Sequence, residues 1–546
     1  MILYDDFLDK LTKTKLGRGK DLIELTTYKD LTMWLFVRVR FFDFMTRVLN
    51  EGLHIRLTRR RPVWMFYKII EPFLDLLTKT LISSVMTFYP QKDVQQSKSS
   101  LPKICFIAQD IEWKVVRNYE TGKLEKSDAF FDSTIKRLGD ACKFVGIYPI
   151  EVSTRNFKVF IDKLRNWYVP HKPFNVYWSL HVWRKEEEAS NHFRRLWKDL
   201  AKDVSFKNLC TYNGRNLHAQ IEAELEFYFC VLFPRVVKHI EVAKRMIANE
   251  KPSLLLVQNE YGEFERALVV AGKLKGIPTV AVQHGVITPK HLGYMFQKED
   301  RTKVVLPDIT CVFGQYYYDL LANESIYKPS QVVVTGQPRY DILYHAGRIY
   351  SKDRFLKEYK IDPSHRVLLW TTQCHGFSDE ENIRNFRVVF ETVEKIENVT
   401  LVIKQHPGED KRYTEMIRDN LANYKIDAVV TPTSSDTYEQ LHACDLLITK
   451  SSTTAMEAVA LNKPVIVLNL GGEADIVDYA EQGVALGVYK EEDLNPSIEK
   501  LLKDDSELAK NRQRYIEKYL YKIDGKATER VIGLIERMIK KKETMK

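Results

Sequence analysis

The 546 residues are most informative first for what they lack. No Asp-x-Asp triplet occurs, so the sequence offers no carboxylate pair of the kind that holds a metal-bound diphosphate. No GxGxxG follows the first apolar run, and no GxxxxGK followed by Ser or Thr is present, so dinucleotide and P-loop chemistries lose their usual phosphate cradles. The cysteines (Cys105, Cys142, Cys210, Cys230, Cys311, Cys374, Cys444) are odd in number and scattered, without CxxC or Cys/His spacing. They read as buried free thiols in a reducing, cytoplasmic setting. The start, MILYDDFLDK, carries acids where a secretory signal needs a basic segment and an apolar run. No stretch approaches the ~18 uninterrupted apolar residues of a spanning helix. The nearest, Val63 to Tyr89, is broken by Lys68, Glu71, Asp75 and Lys79.

What is present is a large globular composition, 45% apolar and 29% charged, with net charge +10. That length exceeds one core and implies two to four domains of roughly 100–200 residues. The basic excess is local. Arg38, Arg40, Arg47, Arg56, Arg59, Arg60, Arg61 and Lys68 face only Asp43 and Glu51 between Phe36 and Lys68. Residues 30–90 are also rich in aromatics. They read either as a helical prelude packed on the body or as an interfacial segment on anionic lipid. The polar stretch QKDVQQSKSS (91–100) then acts as a linker.

From Leu101 short apolar runs alternate with helical stretches. KICFIAQD, FVGIYPIEV, SLLLVQNE, PTVAVQHG, ITCVFG and QVVVTGQP read as strands. A polar loop follows the first, then a helical stretch over about 126–143, and a long helix-rich segment occupies about 155–250. After about residue 350 the pattern restarts with HRVLLWTTQ, VTLVIKQH, DAVVTP, DLLITK and PVIVLN. Helical stretches over 381–396, 437–443 and 453–461 lie between them, and a final amphipathic helix over about 526–542. Such alternation predicts parallel strands joined by crossover helices, twice over, with ligands beyond the carboxyl ends of the strands.

Polar clusters fall at those ends: Gln109-Asp110, Asn259-Glu260, Gln283-His284-Gly285, Thr335-Gly336-Gln337-Pro338-Arg339, Gln405-His406-Pro407-Gly408 and Lys450-Ser451-Ser452-Thr453-Thr454. A hydroxyl run entering a helix near Thr453 caps it and suits a phosphate. Glu457, one turn on, is placed to reach a ribose diol. Lys404 and His406 add positive donors on a strand of the same sheet. On the other side, His284, Asp110 and Glu260 are the candidate bases, His284 first.

Three segments, VTGQPRYDIL, IKQHPGE and KSSTTAMEAVALNKPVIVL, resemble the GT-B glycosyltransferase superfamily over about residues 101–540. The first and third are similar to the linker and nucleotide-binding segments of non-hydrolysing UDP-N-acetylglucosamine 2-epimerases. The His-Pro and Ser-Ser pairs resemble those of bacterial sialyl- and Kdo-transferases, where they bind donor phosphate and nucleotide; His406, Pro407, Ser451 and Ser452 are the matching positions. VQHG resembles the His-Gly segment of CDP-glycerol glycerophosphotransferases, in which the histidine is a proposed base, here His284. The sequence lacks the Trp that precedes that histidine in those enzymes.

The resemblance implies an α/β, GT-B-like fold: two Rossmann-like doubly wound domains facing a cleft, with an N-terminal helical extension. The expected division is extension and linker over 1–100, acceptor domain over 101–348, nucleotide-donor domain over 349–525 and C-terminal helix over 526–546. The leading functional expectation is a metal-independent, cofactor-free glycosyltransferase using a CMP-, CDP- or UDP-linked sugar. Its acceptor would be a surface glycan or lipid-linked precursor. Catalytic residues would come from His284, Asp110 and Glu260. Donor ligands would come from Lys404, His406, Pro407, Gly336, Arg339, Ser451, Ser452, Thr453, Thr454 and Glu457. A nucleotide-sugar 2-epimerase, a CDP-glycerol-type transferase and a non-catalytic scaffold are the alternatives. Partners would be the nucleotide sugar, the acceptor and a membrane surface on residues 30–90, at the inner face of the membrane, with no nucleic acid.

Overall fold

The computed structural model describes residues 5–17, 19–51, 61–89, 100–118, 120–150, 154–406 and 408–544. Arg56, Arg59, Arg60 and Pro407 lie outside them.

The strands are β1 (Lys103–Ile107), β2 (Trp113–Arg117), β3 (Leu124–Asp128), β4 (Lys143–Ile147), β5 (Leu254–Gln258), β6 (Thr279–Val282), β7 (Ile309–Val312) and β8 (Val332–Val334) in the first half. The second half adds β9 (Arg366–Thr371), β10 (Val399–Lys404), β11 (Ala428–Thr431), β12 (Leu446–Thr449), β13 (Val465–Leu468) and β14 (Leu486–Val488). Two six-stranded sheets result, ordered β8-β7-β6-β5-β1-β4 and β11-β10-β9-β12-β13-β14. Every pairing within them is parallel. The central strands are apolar on both faces because helices cover both; all five residues of β5 are buried. This is the GT-B-like architecture the sequence implies, with a helical region before it.

All eleven sequence-read strands form. The short β14 was not read. The polar loop expected after β1 holds the antiparallel hairpin β2–β3, and the helical stretch expected over about 126–143 narrows to a short helix, Asp132–Leu138. WKVVR carries the β-favouring Trp, Val and Val, and a Gly-containing turn sequence follows it, which is hairpin chemistry. Gly122 sits at φ +69, where only a residue without a Cβ turns without strain.

The helices needed below are α1 (Trp34–Glu51), α2 (Arg61–Phe88), α3 (Leu180–Leu200), α4 (Phe233–Glu250), α5 (Thr454–Ala460) and α6 (Ala527–Thr544). α6 returns to the first sheet. Val531, Leu534, Ile535 and Ile539 share a core with Ile104, Phe106, Leu256 and Cys311. The Asp341 carboxylate accepts from the Ala527 and Thr528 amides at 2.8 and 2.9 Å, satisfying the free N–H groups of the first turn. A continuous apolar core, from Phe313 and Tyr317 through Tyr340 to Leu447 and Met456, runs between the two sheets.

α1 is a packed element. Trp34, Val37, Phe41, Phe44 and Val48 join a core with Tyr228, Phe229 and Phe233. Arg38 is turned inward and donates to the Leu292 and Met295 carbonyls, so it is no lipid-facing cation. Burial pushes its guanidinium down to about 9.

Candidate functional site

The carboxyl ends of the two sheets meet around one side chain that the sequence did not single out. Lys114, on β2, pairs with the buried Glu112 at 3.4 Å. Its charge also acts on His284 and Glu112 beside the first sheet, and on Lys404 and Glu457 of the second. The hairpin therefore spans the two sheets' ends and carries a cation between them.

On the first-sheet side, His284 follows β6. Burial pushes its imidazole below the ordinary value; Arg339 and Lys114 add to this and Glu112 opposes it. The ring is thus neutral at pH 7, with a buried Nδ1 that has no hydrogen-bond partner. A neutral imidazole is the form that accepts a proton. Burial disfavours the Glu112 carboxylate, but Lys114 and Arg339 overcome that burial and hold its carboxyl below the usual range. The site thus pairs an ionised carboxylate with a neutral imidazole.

On the second-sheet side, the Arg339 guanidinium lies 3.8 Å from the Glu457 carboxylate. Burial disfavours the Arg339 cation, but Tyr438, Glu112 and Glu457 more than offset it. Glu457 is 3% exposed and accepts from the Tyr438 hydroxyl at 3.4 Å. Burial pushes its carboxyl up to about 7, with Arg339 acting against the rise. Half-protonated near neutral pH, Glu457 can donate as well as accept.

The hydroxyl loop is braced rather than free. Gln373 accepts from the Ser451 amide at 3.0 Å and donates to its hydroxyl at 3.3 Å. Ser452 accepts from the Thr454 amide at 3.2 Å, and Thr454 meets Thr371 at 3.1 Å. α5 has seven residues and Thr453 gives no side-chain cap, so the loop offers individual amides and hydroxyls more than a long helix dipole. Beside it opens a shallow recess lined among others by Thr371, Thr372, Gln373, Phe377 and Lys450. The Lys450 ammonium sits 4.2 Å over the Phe377 ring and pairs with Glu473.

The stretch after β10 divides its labour. Lys404 is buried and donates to the Gln405 and Thr433 carbonyls at 3.2 and 2.7 Å. Burial, with Lys114, pushes its ammonium down to about 8. His406 is exposed, and its Nδ1 accepts from the Gly408 amide at 3.0 Å, which closes the turn. Glu409 reaches back to the recess loop, accepting from the Thr372 hydroxyl at 2.9 Å and the Cys374 amide at 2.6 Å.

Three expected residues do other work. Glu260 accepts from Thr310, Tyr294 and Tyr327 at 3.0, 3.2 and 3.4 Å. It is turned into the body of the first unit rather than toward His284, because three buried hydroxyls need that acceptor. Asp110 pairs with buried Lys163 at 2.8 Å, and Lys163 also donates to the Ala108 carbonyl at 2.8 Å. Asp110 thereby fixes the end of β1. Gly336, at φ +75, lets the chain pass against α6; a Cβ there would meet Ala527 at 3.2 Å. Arg530 donates to the Thr335 carbonyl at 2.7 Å, so this segment clamps α6 and presents Arg339 to the cleft.

Across the cleft, buried Arg117 of the hairpin pairs with Asp436 and Glu439, each at 3.2 Å. Lys114, Arg117, Glu112, Gln373 and Tyr438 are the site residues that sequence reading missed. The β-favouring WKVVR beside a TGK turn was the available signal for the first two.

A family model described as UDP-N-acetylglucosamine 2-epimerase matches residues 234–536, more than half of the chain. No curated protein sequence matches. Among solved structures, MnaA from S. aureus with UDP has TM-score 0.51 at 16% identity, covering 81% of this chain and 97% of its own. The UDP-GlcNAc 2-epimerase from Neisseria meningitidis bound to UDP-GlcNAc has TM-score 0.48 at 15% identity, covering 80% and 99%. The wall teichoic acid polymerase TagF has TM-score 0.44 at 10% identity, covering 86% and 98%.

Proposed function

Because the chain belongs to the UDP-N-acetylglucosamine 2-epimerase family, we propose that it acts on a UDP-linked N-acetylhexosamine and inverts C2 of the sugar. This takes the alternative of the sequence reading over its leading expectation of glycosyl transfer.

The observation that supports it is the pairing of a neutral His284 with an ionised Glu112, opposite Arg339 and Glu457. C2 of such a sugar has no adjacent carbonyl, so its proton leaves readily only if the anomeric C–O bond breaks with it. The base takes the C2 proton, the C1–C2 double bond forms, and the nucleoside diphosphate departs with the bonding pair. Re-addition of the diphosphate, with a proton delivered to the opposite face of C2, completes the inversion. No oxidant enters the balance. The chemistry needs a base at one wall and cations at the other. His284 and Glu112 are the candidate bases. Arg339, Lys114 and Lys404 would stabilise the departing diphosphate. The recess beside Ser451 would take the nucleoside, with Glu457 on a ribose hydroxyl.

Incubation with UDP-N-acetylglucosamine alone in deuterated water tests the reading. The expected result is the C2 epimer, carrying deuterium at C2 by NMR. Product that forms only when a sugar or lipid acceptor is added would instead establish transfer.

A further inference from the structure

Helix α2 is built with its charges inward. Lys68 bridges Glu71 and Glu186 at 2.6 and 2.7 Å, Lys238 of α4 bonds Glu71 and Asp75 at 2.5 and 3.0 Å, and Lys79 donates to the Trp178 carbonyl at 2.8 Å. The opposite face carries Phe66, Ile69, Phe73, Leu77 and Phe88, between 64% and 81% exposed. Their spacing of three, four and more residues keeps them on one stripe. Within this 28-residue helix, the stripe from Phe66 to Phe88 is about 33 Å long at ~1.5 Å per residue. Arg61 is the one charged residue of the described helix that is exposed. Exposed apolar surface of this extent marks an interaction site.

We propose that α2 lies in the headgroup plane of an anionic membrane and holds the protein there. No described helix is long and apolar enough to cross a membrane, so the helix lies along the surface. Both ends of the stripe are aromatic, Phe66 and Tyr67 at one, Phe88 and Tyr89 at the other. Aromatic side chains of this kind belong at a membrane–water boundary. The charge at the rim has the sign that anionic lipid requires. Arg61 lies at one end, half committed to Glu226 at 3.3 Å. At the other end Arg165 stacks 4.7 Å over Tyr89 and donates to its hydroxyl. Lys158 is exposed on the neighbouring helix, whose Phe157 and Ile161 pack with Val85 and Met86 of α2. The only acids of α2, Glu71 and Asp75, are turned inward onto Lys68 and Lys238, which they share with Glu186. A second copy would bring these like charges together along a shared rim; a sheet of phosphate headgroups meets them with the opposite sign. The proposal stands apart from the reaction proposed above.

Flotation of the full chain with vesicles tests it, using phosphatidylcholine alone or with about a third phosphatidylglycerol. The wild type is expected to float with the anionic vesicles only and to be released by high salt. The triple variant Phe66→Glu, Phe73→Glu, Leu77→Glu should lose binding by about tenfold or more. The single variant Phe73→Ser should weaken binding with an unchanged thermal midpoint, which guards against a fold defect in the triple variant. Four results overturn the proposal: no flotation of the wild type, equal flotation on neutral vesicles, undiminished binding of both variants, or self-association of the wild type that the triple variant abolishes.

Discussion

The Arg339 guanidinium and the Glu457 carboxylate face each other at 3.8 Å, one from the turn after the last strand of the first sheet, the other from α5 of the second. Neither sheet alone makes this pair; it forms only where the two carboxyl ends meet. Removing the guanidinium leaves Glu457 more reluctant to ionise and takes one cation from the place a diphosphate would occupy. Arg339→Met should weaken UDP binding by about tenfold or more, worth ~1.4 kcal/mol or above. Isothermal titration against UDP checks this; affinity unchanged from the wild type would remove Arg339 from the donor site.

Lys404 gives the site a pH dependence. Burial lowers its ammonium to about 8, so the free folded protein releases this proton more readily than the unfolded chain. Stability from this group therefore rises between about pH 8 and the ordinary lysine value near 10.5. A bound phosphate acts the other way, because it favours the charged ammonium. UDP affinity should fall as pH rises through about 8, while the midpoint of the nucleotide-free protein does not fall with it. Titrations at pH 7, 8 and 9 in buffers of different ionisation enthalpy would register the coupled proton uptake. A flat affinity across that range would place Lys404 outside phosphate contact.

Much of this arrangement was legible in the sequence because parallel strands covered on both faces announce themselves as short apolar runs, and polar residues at their ends have little else to do. That logic located His284, Arg339, the Ser451 loop and Glu457. It failed for Lys114 and Arg117, because a two-stranded hairpin lying over the cleft buries only part of one face and reads as polar loop. It also misassigned Glu260. A carboxylate at a strand end looks the same in sequence whether it faces a cleft or three buried hydroxyls from Tyr294, Thr310 and Tyr327. His406, quoted for its oddity, turned out to close a turn on the Gly408 amide, while its neighbours Lys404 and Glu409 reach inward.

Glu260 has a stability signature of its own. Burial raises its carboxyl to about 7 against an ordinary value of 4.5, with the three hydroxyl donors opposing the rise. The folded state thus holds this proton where the unfolded chain has lost it. Stability from this group falls as pH rises from about 4.5 through about 7 and is level beyond. Glu260→Gln removes the titration, so the midpoint of the variant relative to wild type should climb between pH 5 and pH 8. Melting curves at four pH values measure it. A constant difference across the range would show that Glu260 is ionised throughout.

Arg117 latches the hairpin to the second unit through Asp436 and Glu439, and all three side chains are largely buried. Burial raises the Asp436 carboxyl and the Arg117 cation opposes that rise. Truncating the arginine leaves Asp436 in low dielectric without its counter-ion, while Glu439 keeps Arg354 at 2.6 Å; breaking a buried pair in this way costs about 3 kcal/mol. Arg117→Ala should therefore lower the thermal midpoint clearly at pH 8, where the stranded Asp436 carboxylate carries its charge, and less as the pH falls and protonation relieves that carboxylate. The double variant Arg117→Ala, Asp436→Asn should recover part of the loss, since the stranded charge goes with its partner. The latch also sets the position of Lys114, three residues before it. UDP affinity should fall in Arg117→Ala and return in part in the double variant. An Arg117→Ala protein with wild-type stability at pH 8 would mean that this pair is solvated in solution and does not hold the cleft.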